Sequence, residues 1–222
     1  MNKPVLVLFD CDGTLIDSAH NIYETMVKTF QAFDIEPPNE DETRSIIGLS
    51  LDCAISTLLK GPTDAHIANM VAYYKNIAND LRSNSKIKEN LYPHIADMLK
   101  ALAQMDHVIL GVVTGKSRRG VKSLCVAYDF DFFHVVRTAD DCPSKPAPDM
   151  VLECCAQAGI KPENTFVVGD TTYDIQMAIA AGAMPIGVTW GYHKREMLEK
   201  AGAFYIVQQP IDILNIVRGF DA

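Results

Sequence analysis

The sequence has no long hydrophobic run. No stretch of its 222 residues approaches the roughly 18 consecutive apolar residues that a membrane-spanning helix needs. The N-terminal stretch, MNKPVLVLFD, contains a short apolar run that Asp10 interrupts, and it lacks the small-residue cleavage site of a secretory signal. We therefore expect a cytoplasmic protein that does not associate with membranes.

Basic runs are also absent. The chain carries 20 Lys and Arg residues against 28 Asp and Glu residues, so its formal net charge is −8. This acidic character disfavours binding to nucleic acid or to a membrane surface, because both are anionic. A small anionic substrate would need cations placed locally at its site.

The cysteines lack the spacing of a metal site. None of the six forms a C-x-x-C pair, and no histidine cluster accompanies them, so we do not expect bound zinc. We expect reduced thiols, most of them buried. Cys11 differs from the others because it lies between Asp10 and Asp12, where it could make a site sensitive to oxidation.

The most informative stretch is Val5–Ser18, which reads VLVLFDCDGTLIDS. Its apolar run predicts a strand buried on both faces of a parallel sheet, and such sheets bind ligands at the carboxyl ends of their strands. Asp10 and Asp12 directly follow that end. Two carboxylates ~4 Å apart repel by about 4 kcal/mol at an effective dielectric near 20, so a cation or a shared proton should accompany them. The alternative for this stretch alone is an ordinary Asp/Gly turn.

Predicted strands and helices alternate from residue 91 onward. This pattern indicates an α/β fold with a doubly wound, mostly parallel Rossmann-like sheet, to which the first strand also belongs. Residues 18–87 carry only helical patterns. We therefore predict two domains, an α/β core of residues 1–17 plus 88–222 and an inserted all-helical cap of residues 18–87.

Polar residues follow the end of the second predicted core strand. Thr114 would end this strand, and Gly115 and Lys116 would then offer backbone amides at a helix start, which suits an anionic oxygen. Farther along the chain, Lys145 lies in a loop rich in proline, which would limit the positions of its ammonium group.

Further carboxylates follow another predicted strand. Asp170 ends that strand, and Asp174 lies on the next helix, so we expect both to join Asp10 and Asp12 at one edge of the sheet. Oxygen ligands without Cys or His favour a hard cation, which here would be Mg²⁺. A phosphomonoester dianion beside Asp10 and Asp170 would sum to −4, against +3 from Mg²⁺ and Lys145. We infer an obligatory metal and a carboxylate nucleophile at a phosphoryl-binding site.

These motifs closely resemble those of the haloacid dehalogenase-like phosphatases, and they occur in the order of that family. They are Asp10-Cys-Asp12-Gly-Thr-Leu, Val113-Thr114-Gly115-Lys116, Ser144-Lys145-Pro146 and Gly169-Asp170-Thr-Thr-Tyr-Asp174. The later segments KPAPDM, GDTTYDIQMAIAAGA and GVTWGYH are similar to the phosphoglycolate phosphatase branch of the family.

The resemblance implies a role for each residue. Asp10 would be the nucleophile that forms an aspartyl-phosphate, and Asp12 would act first as an acid and then as a base. Mg²⁺ would be held by the Asp10 side chain, the Asp12 backbone carbonyl and Asp170, with assistance from Asp174. The residues implied to bind substrate are Asp10, Cys11, Asp12, Gly13, Thr114, Gly115, Lys116 and Lys145, with Arg44 and Gly48 from the cap.

The resemblance leaves the substrate and the acceptor open. Gly115 stands where this branch often carries Asn, and His94 stands where Gly is usual. We expect a phosphatase of a small phosphorylated metabolite, with 2-phosphoglycolate as the leading candidate. The alternatives are a phosphosugar mutase similar to β-phosphoglucomutase and a broad-specificity phosphatase of sugar phosphates, nucleotides or pyrophosphate. The chain could be a monomer or a homodimer.

Overall fold

A six-stranded sheet forms the centre of the fold. The computed structural model describes residues 3–61, 65–83 and 89–220. The strands are β1 (Val5–Phe9), β2 (Ile16–Asp17), β3 (Asn90–Leu91), β4 (Val108–Thr114), β5 (Phe133–Thr138), β6 (Thr165–Gly169), β7 (Met184–Val188) and β8 (Tyr205–Val207). The order in the large sheet is β5-β4-β1-β6-β7-β8, and every neighbouring pair is parallel.

The helices lie on both faces of this sheet and in one separate group. They are α1 (Ala19–Ala32), α2 (Glu40–Ile46), α3 (Leu51–Leu59), α4 (Ala65–Ser83), α5 (Ile95–Ala103), α6 (Arg118–Tyr128), α7 (Asp149–Ala158), α8 (Thr172–Ala181), α9 (Arg195–Ala201) and α10 (Pro210–Arg218). The predicted α/β class with a mostly parallel Rossmann-like sheet is confirmed. Among the described residues, no helix is both long enough and apolar enough to span a membrane.

Strand β1 is buried on both faces because its apolar residues alternate between two cores. Val5, Val7 and Phe9 pack into one hydrophobic cluster, whereas Leu6 and Leu8 pack into a second cluster. This alternation follows from the two-residue period of a strand. Since β1 lies between β4 and β6, the carboxyl ends of these three strands lie side by side at one edge of the sheet.

Helices α1 to α4 share a hydrophobic cluster of their own. Its buried members are Met26, Phe30, Ile46, Ala54, Ile55, Ile67 and Met70. The helix predicted to begin at residue 63 begins at Ala65, and residues 63 and 64 lie outside the described part of the chain. The predicted domain boundary at residues 87 and 88 also lies outside it, so the division into a core and a cap stays a prediction.

A two-stranded antiparallel ribbon joins the helical segment to the large sheet. Strand β2 pairs with β3, with Asp17 opposite Asn90 and Ile16 opposite Leu91. The sequence did not predict this ribbon, because strands of two residues are too short to show an alternating pattern. The ribbon places the two connections of the helical segment next to each other.

His94 accounts for one boundary that was predicted wrongly. The sequence pattern predicts a helix over residues 93–104, but α5 begins at Ile95 because His94 adopts a left-handed conformation with φ of 65°. This conformation favours glycine, which explains why Gly is usual here in the family that the sequence resembles. The His94 side chain is 80% exposed and lies near Asp97 on the surface. The substitution therefore affects the backbone, and we do not assign it a role in substrate preference.

The proposed cap predicts a local effect of core mutations. Replacing Ile55, which is fully buried in α3, by Ala should cost about 2–5 kcal/mol through the cavity it leaves. If residues 18–87 form a separate cooperative unit, amide hydrogen exchange should accelerate in α1, α3 and α4 while β1, β4 and β6 remain protected. Leu99→Ala in α5 is the matched control, and it should accelerate exchange in the sheet. Equal acceleration throughout the chain in both variants would contradict the two-domain division.

Candidate active site

The adjacent strand ends bring three carboxylates together. Asp10 follows β1, Asp170 follows β6, and Asp174 lies in the first turn of α8. The Asp10 backbone N–H donates to the carbonyl of Val168 at 2.9 Å, which continues the pairing of β1 with β6. Each carboxylate offers an oxygen, these three oxygens lie within 4.8 Å of one another, and all three residues are buried. The sequence prediction that these residues converge is therefore matched by their geometry.

Lys145 supplies the positive charge inside this acidic cluster. Its Nζ lies 2.9 Å from Oδ1 of Asp10 and 2.6 Å from Oδ1 of Asp174, and its side chain is fully buried. When all these groups are ionised, three carboxylates and one ammonium leave a charge of −2. A divalent cation would neutralise that charge.

The pKa values of two of these acids reflect the same excess of negative charge. Burial raises the pKa of Asp10 to about 7, and the nearby charges of Asp174 and Asp12 act in the same direction, while Lys145 opposes them. The pKa of Asp170 is raised well above its ordinary value, first by burial and then by the charges of Asp174 and Asp10. Without a further cation, the cluster therefore resists full ionisation.

The remaining contacts of the carboxylates show that Mg²⁺ fits this cluster. Oδ2 of Asp10 is buried and has no hydrogen-bond partner among the described residues. Asp170 accepts single hydrogen bonds from Thr14 Oγ1 at 2.9 Å and from the Tyr192 amide at 2.8 Å. Both oxygens of Asp174 are already engaged, one by Lys145 and the other by the amide and hydroxyl of Thr171. An all-oxygen donor set with a charge of −2 and an unpartnered oxygen suits a hard divalent cation.

Gly13 allows Asp170 to approach the loop that follows β1. The glycine has φ of +87°, and a Cβ atom built at this position would lie 2.2 Å from Asp170 Oδ2. Any larger residue would displace the carboxylate. Gly13 therefore contributes space for Asp170, and any contact with substrate stays a prediction.

Asp12 lies in a different environment from Asp10. Its Oδ1 accepts hydrogen bonds from Ser18 Oγ at 2.6 Å and from Lys116 Nζ at 2.8 Å. Burial alone would raise the pKa of Asp12, but Lys116 and Ser18 outweigh that effect and lower it. The sequence pattern offers Asp17 and Ser18 as N-cap candidates for a helix over Ala19–Phe33. Ser18 is the N-cap residue of α1, but its side chain binds Asp12 and makes no capping hydrogen bond. Tyr192 supports Ser18, because its hydroxyl oxygen accepts the Ser18 amide at 3.0 Å.

The prediction for the backbone amide of Lys116 was also wrong. We predicted that its backbone amide would lie at a helix start, but α6 begins at Arg118, and the Lys116 amide donates to Thr114 Oγ1 at 3.2 Å. Its ammonium group instead contacts Asp12 and, at 3.3 Å, Oε1 of Glu89. This role of the side chain was not predicted, because no local sequence pattern connects Lys116 with Asp12 or Glu89, which are far away in the chain.

Gly115 lies directly beneath the segment between α2 and α3. A Cβ atom built on it would lie 2.5 Å from the carbonyl oxygen of Leu49 and 2.7 Å from that of Gly48. The same segment is fixed by the Ser50 amide, which donates to Ser144 Oγ at 2.8 Å. Gly115 is therefore required for this close approach, and a residue as large as Asn would push the segment away.

A cavity of about 600 Å³ lies between the strand ends and helices α1 to α4. The predicted site residues that line it are Asp10, Asp12, Gly48, Thr114, Gly115 and Lys116. Lys145, Asp170 and Asp174 are not among the lining residues and lie buried behind Asp10. The ammonium group of Lys145 thus contacts Asp10 behind the cavity wall and is not on the cavity surface.

The side chains of Arg44 and Cys11, which were also predicted as site residues, do not reach the cavity either. Arg44 points away, because its guanidinium is half exposed and lies 3.6 Å from Glu40 on the surface of α2. The Cys11 side chain is fully buried in the hydrophobic core beside β1, and burial raises the pKa of its thiol well above the ordinary value. This burial argues against the expectation that Cys11 makes the site sensitive to oxidation, since a fully buried thiol is not accessible to a dissolved oxidant.

Comparison with protein families agrees with this geometry. The model of the haloacid dehalogenase-like hydrolase family matches residues 7–188. The phosphoglycolate phosphatases of Shigella boydii serotype 4 (strain Sb227) and of Escherichia coli (strain K12) are each 32% identical to this chain in an alignment of 230 positions, gaps included, that covers 94% of the chain and 90% of each relative.

Solved structures show the same fold. A haloacid dehalogenase-like family hydrolase from Streptococcus pneumoniae superposes with a TM-score of 0.80 at 23% identity, covering 96% of this chain and 98% of that one. A hydrolase from Pseudomonas syringae gives a TM-score of 0.84 at 22% identity and covers 99% of this chain and 100% of the other. At this level of identity the superpositions support the fold alone.

Removing the buried ammonium should destabilise the protein. Lys145→Met leaves the carboxylate cluster without its internal cation, and the free energy of unfolding should fall by about 3–5 kcal/mol. Lys161→Met is the matched control, because Lys161 and its partner Glu163 are exposed and 3.6 Å apart, and it should change stability by less than about 0.5 kcal/mol. Denaturant unfolding without added metal measures both variants. Equal stabilities for the two variants would show that Lys145 is not needed to hold the cluster.

Mg²⁺ binding should stabilise the folded protein even without substrate. At a concentration about 100 times its Kd, the metal should add roughly 2.7 kcal/mol, which thermal unfolding detects as a higher Tm. Asp170→Asn should remove this shift, whereas Asp52→Asn, a change to an exposed carboxylate at the start of α3, should keep it. A shift of equal size in both variants would place the metal elsewhere.

Proposed function

The chain belongs to the haloacid dehalogenase-like hydrolase family and is a phosphatase, and we propose that it hydrolyses phosphomonoesters in two steps through a phosphorylated Asp10. The observation that carries this proposal is the Asp10 carboxylate. It lines the cavity, one of its oxygens contacts Lys145, and its other oxygen has no hydrogen-bond partner among the described residues. A carboxylate held in this way has an oxygen available for attack.

In the first step, one oxygen of the Asp10 carboxylate would attack the phosphorus atom while the bond between phosphorus and the leaving oxygen breaks, and its second oxygen would remain available to the metal. Lys145 holds Oδ1 of Asp10 and thereby fixes the orientation of the carboxylate. Asp12, which also lines the cavity, would donate a proton to the leaving oxygen, so that an alcohol departs. Mg²⁺ held by Asp10 and Asp170, with the Asp12 carbonyl, would neutralise charge on the phosphoryl oxygens.

In the second step, Asp12 would take a proton from water, whose oxygen then attacks the phosphorus atom and releases Asp10 and phosphate. The carboxylate of Asp12 can accept this proton because it gave up its own proton to the leaving oxygen in the first step. Thr114 would donate its hydroxyl proton to a phosphoryl oxygen, since the oxygen of that hydroxyl already accepts the Lys116 amide. The Asp12 carboxylate would be held at the cavity wall during both steps by Ser18 and Lys116, which both donate hydrogen bonds to its Oδ1.

The substrate in this proposal is a small phosphorylated metabolite. The two relatives named as phosphoglycolate phosphatases support 2-phosphoglycolate as a candidate, which the sequence had also placed first. We further propose that the enzyme acts in the cytoplasm.

Substitutions of the two aspartates should separate the steps. Asp10→Asn should reduce phosphate release from 4-nitrophenyl phosphate to the background rate, because the amide cannot act as the nucleophile. Asp12→Asn should keep the first step, since 4-nitrophenolate leaves without a proton, but slow the second about 10²- to 10⁴-fold. The expected signal is a burst of close to one equivalent of nitrophenolate, measured by stopped flow with Mg²⁺ present.

Asp97→Asn is the control for these variants, because Asp97 is exposed on α5 and should leave turnover unchanged. Undiminished turnover by Asp10→Asn would exclude Asp10 as the nucleophile. Slow turnover by Asp12→Asn without a burst would mean that Asp12 is needed for the first step even with an activated substrate.

A further inference from the structure

The side of the cavity that faces helices α1 to α4 is mainly apolar. The side chains that form this surface, which we call the apolar roof, are Ile22, Met26, Ile46, Leu49, Leu51 and Val71. The cavity volume of about 600 Å³ lies within the range of about 300–1,000 Å³ that is usual for pockets binding drug-sized ligands. The cavity is therefore much larger than a phosphoryl group and a two-carbon leaving group require.

The helical segment is already in contact with the sheet side of the cavity, so a gap between the two does not explain the cavity volume. The carbonyl oxygens of Gly48 and Leu49 already lie against Gly115, and the Ser50 amide is hydrogen-bonded to Ser144 at 2.8 Å. On the other side of the same segment, the Tyr173 hydroxyl donates to the Ser45 carbonyl at 3.0 Å. With these contacts in place, a short leaving group would leave the apolar roof facing water.

The charged residues around the cavity do not provide a site for a second anion. The acids that line it are Asp10, Asp12, Asp52, Glu89 and Asp140, and the cationic residues are Lys75, Lys116 and Arg119. Lys116 is engaged by Asp12 and Glu89. Lys75 is half exposed and lies 3.9 Å from Asp140, and Arg119 is exposed on the sheet side. Among the described lining residues, the apolar roof thus has no buried cation that could hold a carboxylate.

We infer that the preferred leaving group is an uncharged alcohol with an extended apolar body, for example an aromatic alcohol, and not a short carboxylate such as glycolate. This inference rests on the proposed phosphomonoesterase function, and within that function it sets the lining of the cavity against the 2-phosphoglycolate candidate that the relatives support. The apolar roof would bury the body of the alcohol, which favours binding in proportion to the area removed from water. A carboxylate placed against these apolar side chains would lose hydration without gaining a buried cationic partner among the described lining residues.

A matched set of substrates tests this inference. We would measure kcat/KM with Mg²⁺ for benzyl phosphate, 4-carboxybenzyl phosphate and 2-phosphoglycolate. The two benzyl esters have leaving groups of similar reactivity and differ by one carboxylate. The kcat/KM of benzyl phosphate should exceed that of each of the other two esters by about tenfold or more, because their carboxylates would have no buried cationic partner in the cavity.

A cation added to the apolar roof should reverse the preference. Ile22→Lys and Val71→Lys each place an ammonium at a half-buried position of the roof, on α1 and α4 respectively. In either variant, the ratio of kcat/KM for 4-carboxybenzyl phosphate to that for benzyl phosphate should rise about tenfold. Val126→Lys is the control, because it adds the same charge at a position of α6 that is 75% exposed, and it should leave the ratio unchanged. A wild-type Tm identifies the variants that remain folded.

The outcomes separate this inference from the function on which it rests. If 2-phosphoglycolate or 4-carboxybenzyl phosphate matches or exceeds benzyl phosphate in the wild-type enzyme, the inference is wrong and the phosphatase proposal stands. An unchanged ratio in both folded lysine variants also overturns the inference. If the wild-type enzyme releases no phosphate from any of these esters or from 4-nitrophenyl phosphate, the proposed function fails as well.

Discussion

The ion pairs of Lys145 are the interaction on which the rest of the site depends. Its fully buried ammonium group contacts Asp10 and Asp174 at 2.9 and 2.6 Å. Without it, three buried carboxylates would face one another with no cation from the described part of the chain among them, an arrangement that electrostatics disfavours strongly. With it, the cluster still carries −2 when ionised, a charge that a divalent cation would neutralise. The same ammonium group therefore allows the fold to bury these acids and orients the carboxylate that we propose as nucleophile.

Two carboxylates separated by one residue acquire different properties from their neighbours. Asp10 ends a fully buried strand, and its pKa is raised to about 7, mainly because burial disfavours the charged form. Asp12 contacts Lys116 and Ser18, and its pKa is lowered despite burial. Ser18 follows β2 and Glu89 precedes β3, so both chain connections to the helical segment touch the groups around Asp12. The two chain connections to the helical segment thus help to position Asp12, the carboxylate that we propose for proton transfer.

The sequence predicted the parts of the site that depend on local pattern and on strand ends. Asp10 and Asp170 were found because apolar runs reveal buried strands, and parallel strands present their carboxyl ends at one edge. The contacts of Lys116 and Tyr192 were missed because they join residues far apart in the chain, for which no periodicity gives a signal. The expectation that Arg44 binds substrate was wrong for a similar reason. A helical pattern was recognised here, but it does not reveal the direction of this half-exposed side chain, which pairs with Glu40.

The central claim is that Asp10 carries the phosphoryl group during turnover, and borohydride trapping tests it most directly. An acyl phosphate is reduced by borohydride, so quenching the enzyme with borohydride during steady-state hydrolysis of 4-nitrophenyl phosphate should convert the side chain of Asp10 to that of homoserine. Peptide mass spectrometry should find this change at Asp10, only when substrate and Mg²⁺ are both present. Trapping at a different aspartate, or no trapped residue while phosphate is still released, would contradict the account.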